Sequence, residues 1–122
     1  MKKIILFLSV SLFALSLVAQ TNFRDITYKE ALAAAKAEKK LVFIDFYTSW
    51  CGPCKMLAPS VDKLAAEHPE AKVVKVDVDQ ENALAMQYGV QSIPTLIVFK
   101  NGQPVNRQMG FVPYEALENM LK

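Results

Sequence analysis

The stretch Leu41-Val42-Phe43-Ile44-Asp45-Phe46-Tyr47 is a near-continuous apolar, β-branched and aromatic run broken only by Asp45. A strand with one face in water alternates apolar and polar residues, so a continuous run predicts a strand covered on both faces, in the middle of a parallel sheet. Such a sheet needs helices above and below it. Thr27-Tyr28-Lys29-Glu30 fits a capping box, and the alanine-rich stretch to about Lys39 predicts the helix it opens. Leu57, Val61, Leu64 and Ala65 recur at helical spacing and predict a helix from Gly52 to about His68, bent near Pro59.

Residues 72–78 read as the next strand, followed by a short helix over 82–88 that Gly89 can end. Residues 95–99 and 105–109 read as two antiparallel strands joined through Asn101-Gly102, a pair that favours a tight hairpin. Residues 114–121 close the chain as a helix with Pro113 at its first turn, and residues 22–26 read as a short edge strand. The order β-α-β-α-β-α-β-β-α predicts an α/β fold: a mixed central sheet, helices on both faces, right-handed parallel crossovers. A chain of 122 residues, 52% hydrophobic and 21% charged, can bury a core for one such domain.

Residues 1–19 stand apart. Lys2 and Lys3 precede an apolar run from Ile4 to Val18, broken only by serines and followed by Ala19, in the order of a secretory signal. The run is about 15 residues, short of the roughly 20 that span a bilayer as a helix. Cleavage after Ala19 or Gln20 is expected, leaving a domain over 20–122; Leu17, rather than a small residue, near Ala19 leaves an uncleaved anchor as the alternative. Without Lys2 and Lys3 the 14 Lys and Arg become 12, equal to the 12 Asp and Glu, so the exported domain is formally neutral. Beyond Lys39-Lys40 no run of basic residues occurs, which argues against nucleic acid as a partner.

The two cysteines, Cys51 and Cys54, lie just past the carboxyl end of the central strand, where open α/β sheets place their sites. Export permits a disulfide, but so small a ring makes a poor staple, because short loops gain least from closure. Zinc wants four ligands, and His68 is the chain's one histidine. As a base for a cysteine nucleophile His68 is no better: it is expected at the far end of the same helix, roughly 20 Å away and facing solvent.

A reactive dithiol is the third reading of the pair. Only a thiolate attacks a disulfide, and Cys51 at a helix start meets unpaired N–H groups and the positive end of the helix dipole. Cys54, one turn on, is angled inward to strike a mixed disulfide on Cys51, and Gly52 and Pro53 keep the turn tight. Asp45 is the odd residue of the buried strand, since a carboxylate there is costly unless neutral or paired.

Trp50-Cys51-Gly52-Pro53-Cys54-Lys55 resembles the active-site motif of the thioredoxin family, and the likeness extends to Asp45-Phe46, Pro59, Lys75, Ile93-Pro94-Thr95, Lys100-Asn101-Gly102 and Gly110. The resemblance covers about Leu41 to Lys122. It implies the thioredoxin fold and a Cys51-Cys54 pair that cycles between dithiol and disulfide, with Cys51 attacking. It further implies that Asp45, with Lys75 beside it, relays a proton for the inner cysteine. Ile93-Pro94 would form a cis-proline turn facing the dithiol, and Trp50, Ile93, Pro94, Met109 and Gly110 would rim a shallow groove for extended protein substrates. Tyr47 and Ser49 depart from the tryptophan and acidic residue common before the motif. The capped, alanine-rich helix resembles exported members such as the periplasmic domains of membrane thiol reductases.

The reading is therefore a thiol-disulfide oxidoreductase, a protein-disulfide reductase that is periplasmic or secreted. It needs no cofactor and no metal, works as a monomer, and draws electrons from a membrane thiol partner. The alternatives are an oxidase or isomerase, a redox-inactive binding module that uses the groove alone, and Cu(I) delivery by the two thiols.

Overall fold

The computed structural model describes residues 28–122, so the leader, the strand expected over 22–26 and the capping Thr27 lie outside it. The elements run α1 (Tyr28–Glu38), β1 (Leu41–Tyr47), α2 (Gly52–Glu67), β2 (Ala71–Asp77), α3 (Asn82–Gln87), β3 (Thr95–Lys100), β4 (Gln103–Met109) and α4 (Tyr114–Met120). Among the described residues no helix is long and apolar enough to cross a membrane.

The sheet has the order β2-β1-β3-β4, parallel between β1 and β2 and antiparallel across β1–β3 and β3–β4. β1 is central, but only one of its neighbours is parallel, which corrects the expectation of a parallel surround. A continuous apolar pattern reports cover on both faces and carries no information about the direction of the adjoining strands. Alternate residues of β1 enter two separate cores. Val42, Ile44 and Phe46 pack with Ala31 and Ala35 of α1, Val74 and Val76 of β2, and Ile97 and Phe99 of β3. On the other face Phe43 packs with Leu57, Val61 and Leu64 of α2 and Leu117 and Met120 of α4. Each fully buried Leu or Phe contributes about 1.5–3 kcal/mol relative to exposure, so both layers are needed to hold β1 in place.

Asn101 and Gly102 both adopt positive φ, 53° and 80°, the geometry of a two-residue turn whose twist matches its strands. Pairing therefore resumes at once, Lys100 with Gln103, and β4 begins two residues earlier than expected. The register then skips Val105 at a bulge, and Pro104 sits where an edge strand tolerates it. Pro59 lies inside α2, and Pro113 is the N-cap of α4 rather than a residue of its first turn.

Candidate active site

Cys51 is the N-cap of α2, with φ −82° and ψ 118°, and its Sγ accepts the backbone N–H of Cys54 at 3.1 Å. The chain leaves β1 at Tyr47, turns through Thr48–Trp50 and enters the helix with Gly52 and Pro53, whose missing N–H is one the first turn leaves unpaired anyway. Cys51 and Cys54 are joined as a disulfide, their Cα atoms 5.2 Å apart, and both are nearly buried at 4% and 5% exposure. Lys55, next in the motif, is exposed.

Residues from far along the chain complete the site. The Ile93–Pro94 bond is cis, and the Ile93 carbonyl oxygen lies 3.9 Å from Cys51 Sγ. The Pro94 carbonyl accepts the N–H of Gly110 at 2.8 Å, and the Thr95 hydroxyl donates to the Ser92 carbonyl at 2.6 Å. Gly110 has φ +83°, a conformation open to glycine, and so carries the chain out of β4 beside the proline. Met109 is exposed, its sulfur 3.8 Å from the Ser92 hydroxyl. Trp50 is 68% exposed and tethered, its indole N–H donating to Asp79 at 2.8 Å. Ile93 thus reaches the disulfide, Gly110 bonds Pro94 and Met109 lies against Ser92, while Asp79, which holds Trp50, is a residue that sequence reasoning missed. With Asp77 and Glu81 two residues to either side, nothing in the sequence singles Asp79 out.

Asp45 is 1% exposed, and its Oδ1 has no hydrogen-bond partner among the described residues. Burial pushes its pKa up to about 6, against the pull of Lys75 and with a small push from Asp62. Lys75 stands opposite Asp45 in the β1–β2 register, and its ammonium lies 5.0 Å from the Tyr47 ring centroid. The Thr48 hydroxyl is also buried without a partner among the described residues.

His68 differs from expectation. Its side chain is only 22% exposed, held between Glu70 at 2.7 Å and Glu118 at 2.9 Å. Solvent-facing described the end of α2 in isolation; α4 packing against that end brings Glu118 to it.

A nearly buried disulfide at a helix N-cap, beside a cis-proline turn at the edge of a mixed sheet covered on both faces, defines a thiol-disulfide oxidoreductase on an α/β scaffold. A family model described as Thioredoxin matches residues 19–122. The chain belongs to the thioredoxin family, and it is a disulfide reductase that acts on protein disulfides through its cysteine pair. It is 49% identical over 88 residues to a thioredoxin of Staphylococcus aureus, covering 71% of this chain and 85% of that one. Among solved structures it is similar to a mutant thioredoxin from Halobacterium salinarum NRC-1, at 41% identity and TM-score 0.69, covering 78% of this chain and 82% of that one. A poplar thioredoxin h aligns at TM-score 0.72 and 27% identity, covering 76% of this chain and 84% of that one.

Proposed function

We propose that the chain is exported and reduces protein disulfides outside the cytoplasm, with Cys51 as nucleophile and Cys54 as resolving thiol. The Cys51 thiolate attacks one sulfur of a substrate disulfide; a mixed disulfide forms and the first substrate thiolate leaves. Cys54 then gives its proton to Asp45 and attacks the Cys51 sulfur, releasing the second substrate thiolate and closing the Cys51–Cys54 disulfide. The observation that carries this reading is the contact of Cys51 Sγ with the Cys54 N–H at the N-cap of α2, a donor and dipole that favour an anionic sulfur there. Asp45 supports the second step, because a carboxylate with pKa about 6 is a usable base near neutrality. Trp50, Ile93, Pro94, Met109 and Gly110 form the groove that holds the substrate segment, and Trp50, Gly52, Pro53 and Lys55 frame the dithiol.

Export rests on the basic, apolar and small-residue order of 1–19. An exported reductase must be re-reduced from inside the cell, so its electron donor is a membrane thiol protein. It acts as a monomer: the edge strand β4 carries Pro104 and Arg107, which discourage strand-to-strand pairing. The test is substitution of each sulfur. Cys51→Ser is expected to abolish insulin-disulfide reduction, and Cys54→Ser to freeze a substrate on Cys51 for identification by mass spectrometry. Unchanged turnover by Cys51→Ser rejects the assignment.

A further inference from the structure

The end of the sheet opposite the dithiol carries a feature that disulfide exchange does not use. There the C-terminal ends of α1 and α4, the start of β1 and the Lys100–Asn101 turn surround an open cavity of about 860 Å³. Its rim holds Lys36, Lys39, Lys40, Lys100 and Lys122, and among the described residues no acidic side chain lines it. Its apolar lining is Leu41, Val98, Val105, Met120 and Leu121, of which Val98 and Met120 are nearly buried. Val105, the residue the β3–β4 register skips, is 57% exposed. Lys40 pairs with Glu38 at 3.2 Å, while Lys36, Lys39, Lys100 and Lys122 are exposed.

Helix carbonyl ends favour cations, which accounts for Lys36 in the last turn of α1, Lys39 just after it and Lys122 after α4. It does not account for Lys100 on the hairpin, nor for the exposed Val105 beside the charges. With residues 20–122 formally neutral, four exposed lysines gathered beside the Glu38-paired Lys40 make the charge distribution uneven.

We propose that this end binds the headgroup of an anionic phospholipid and holds the protein on a membrane with Cys51 and Cys54 turned away from it. Three features select this ligand. All the cations are lysines, flexible point charges suited to a diffuse anionic surface, whereas recognition of a phosphopeptide or carboxylate favours the arginine fork. Among the described residues the lining has no aromatic side chain on which bases could stack, as single-stranded nucleic acid requires. Lysine stems can lie along the apolar lining while their ammonium groups reach phosphate, the arrangement found at the boundary between headgroups and acyl chains. β1 spans the distance to the other end, about 20 Å for its length, so a lipid bound here leaves the substrate groove open.

The test is a titration of ¹⁵N-labelled protein with dihexanoyl-phosphatidylglycerol below its micelle concentration, read from backbone amide shifts. Saturable shifts at Lys100, Asn101, Val105 and Leu121 are expected. Equal concentrations of dihexanoyl-phosphatidylcholine or inorganic phosphate should leave those signals in place. The Lys36→Glu/Lys100→Glu and Lys39→Glu/Lys122→Glu variants should each weaken binding at least tenfold while insulin reduction, which reports the fold, is retained. Equal shifts with phosphatidylcholine would show an apolar site without charge selection, and equal shifts with phosphate a site for free anions. Tighter binding of an alternating Glu-Leu peptide would show a peptide surface, and shifts confined to residues 1–19 would show the leader alone binding. Each of these outcomes overturns the proposal.

Discussion

Asp45 sits between Ile44 and Phe46 in the middle of the sheet, and burial raises its pKa from the ordinary 3.8 to about 6. A carboxyl that holds its proton more tightly folded than unfolded stabilises the fold while protonated, and that stability is lost as pH rises from about 4 to about 6. At neutral pH the loss is about 3 kcal/mol, two pKa units at 1.36 kcal/mol each. Asp45→Asn is expected to be more stable than the native protein at pH 7 by up to about 3 kcal/mol in guanidinium unfolding, with the gap closing below pH 4. Equal stabilities at pH 7 would mean that the native site hydrates or neutralises the charge. The same variant should reduce insulin more slowly at pH 7 and recover at alkaline pH, where Cys54 ionises without help. The sequence made Asp45 conspicuous because a charge inside an apolar run is anomalous whatever the fold. Asp79 and Glu118 were not conspicuous, since their roles depend on what faces them.

Helices α2 and α4 meet at His68, where Glu70 first and Glu118 second hold the imidazole pKa above its ordinary 6.5. A raised histidine pKa contributes stability that is fully present below 6.5 and is lost as pH rises through the folded value. His68→Gln is therefore expected to lower the melting temperature at pH 6 and to flatten the decline in stability above pH 6.5, with insulin reduction unaffected. A native profile already flat above pH 6.5 would contradict this. In the β3–β4 hairpin, Gly102 holds φ +80° with open space where a Cβ would stand, so the penalty of a side chain is conformational alone. Gly102→Ala should cost about 1 kcal/mol, a fall of about 4–8 °C in melting temperature for a domain of this size. Element identities were legible because local patterns set them: period in α2, continuous apolarity in β1, Asn-Gly in the turn. The antiparallel pairing of β1 with β3 was not, because it joins residues such as Val42 and Phe99 that share no local pattern.

At the scale of the whole molecule, two cores on opposite faces of one sheet hold two chemically different ends apart. One end is the nearly buried disulfide with its exposed Trp50 and Met109, and the other is the lysine-rimmed cavity. If export proceeds as proposed, mass spectrometry of the protein recovered outside the cytoplasm should find chains beginning at Gln20 or Thr21, and recovery of uncut chains only would favour an anchor. Residues 46–55 by themselves determined the reactive chemistry, because Trp50 through Lys55 lie within one turn and helix start and need no distant partner to be recognised. Tertiary structure alone decided that Asp79 holds Trp50, that Glu118 closes on His68, and that five lysines scattered from Lys36 to Lys122 become one basic rim. The reason is physical. Bonds along the chain set which groups are neighbours over a few residues, whereas burial of both faces of β1 folds back segments distant in the chain, and only that burial fixes what they face.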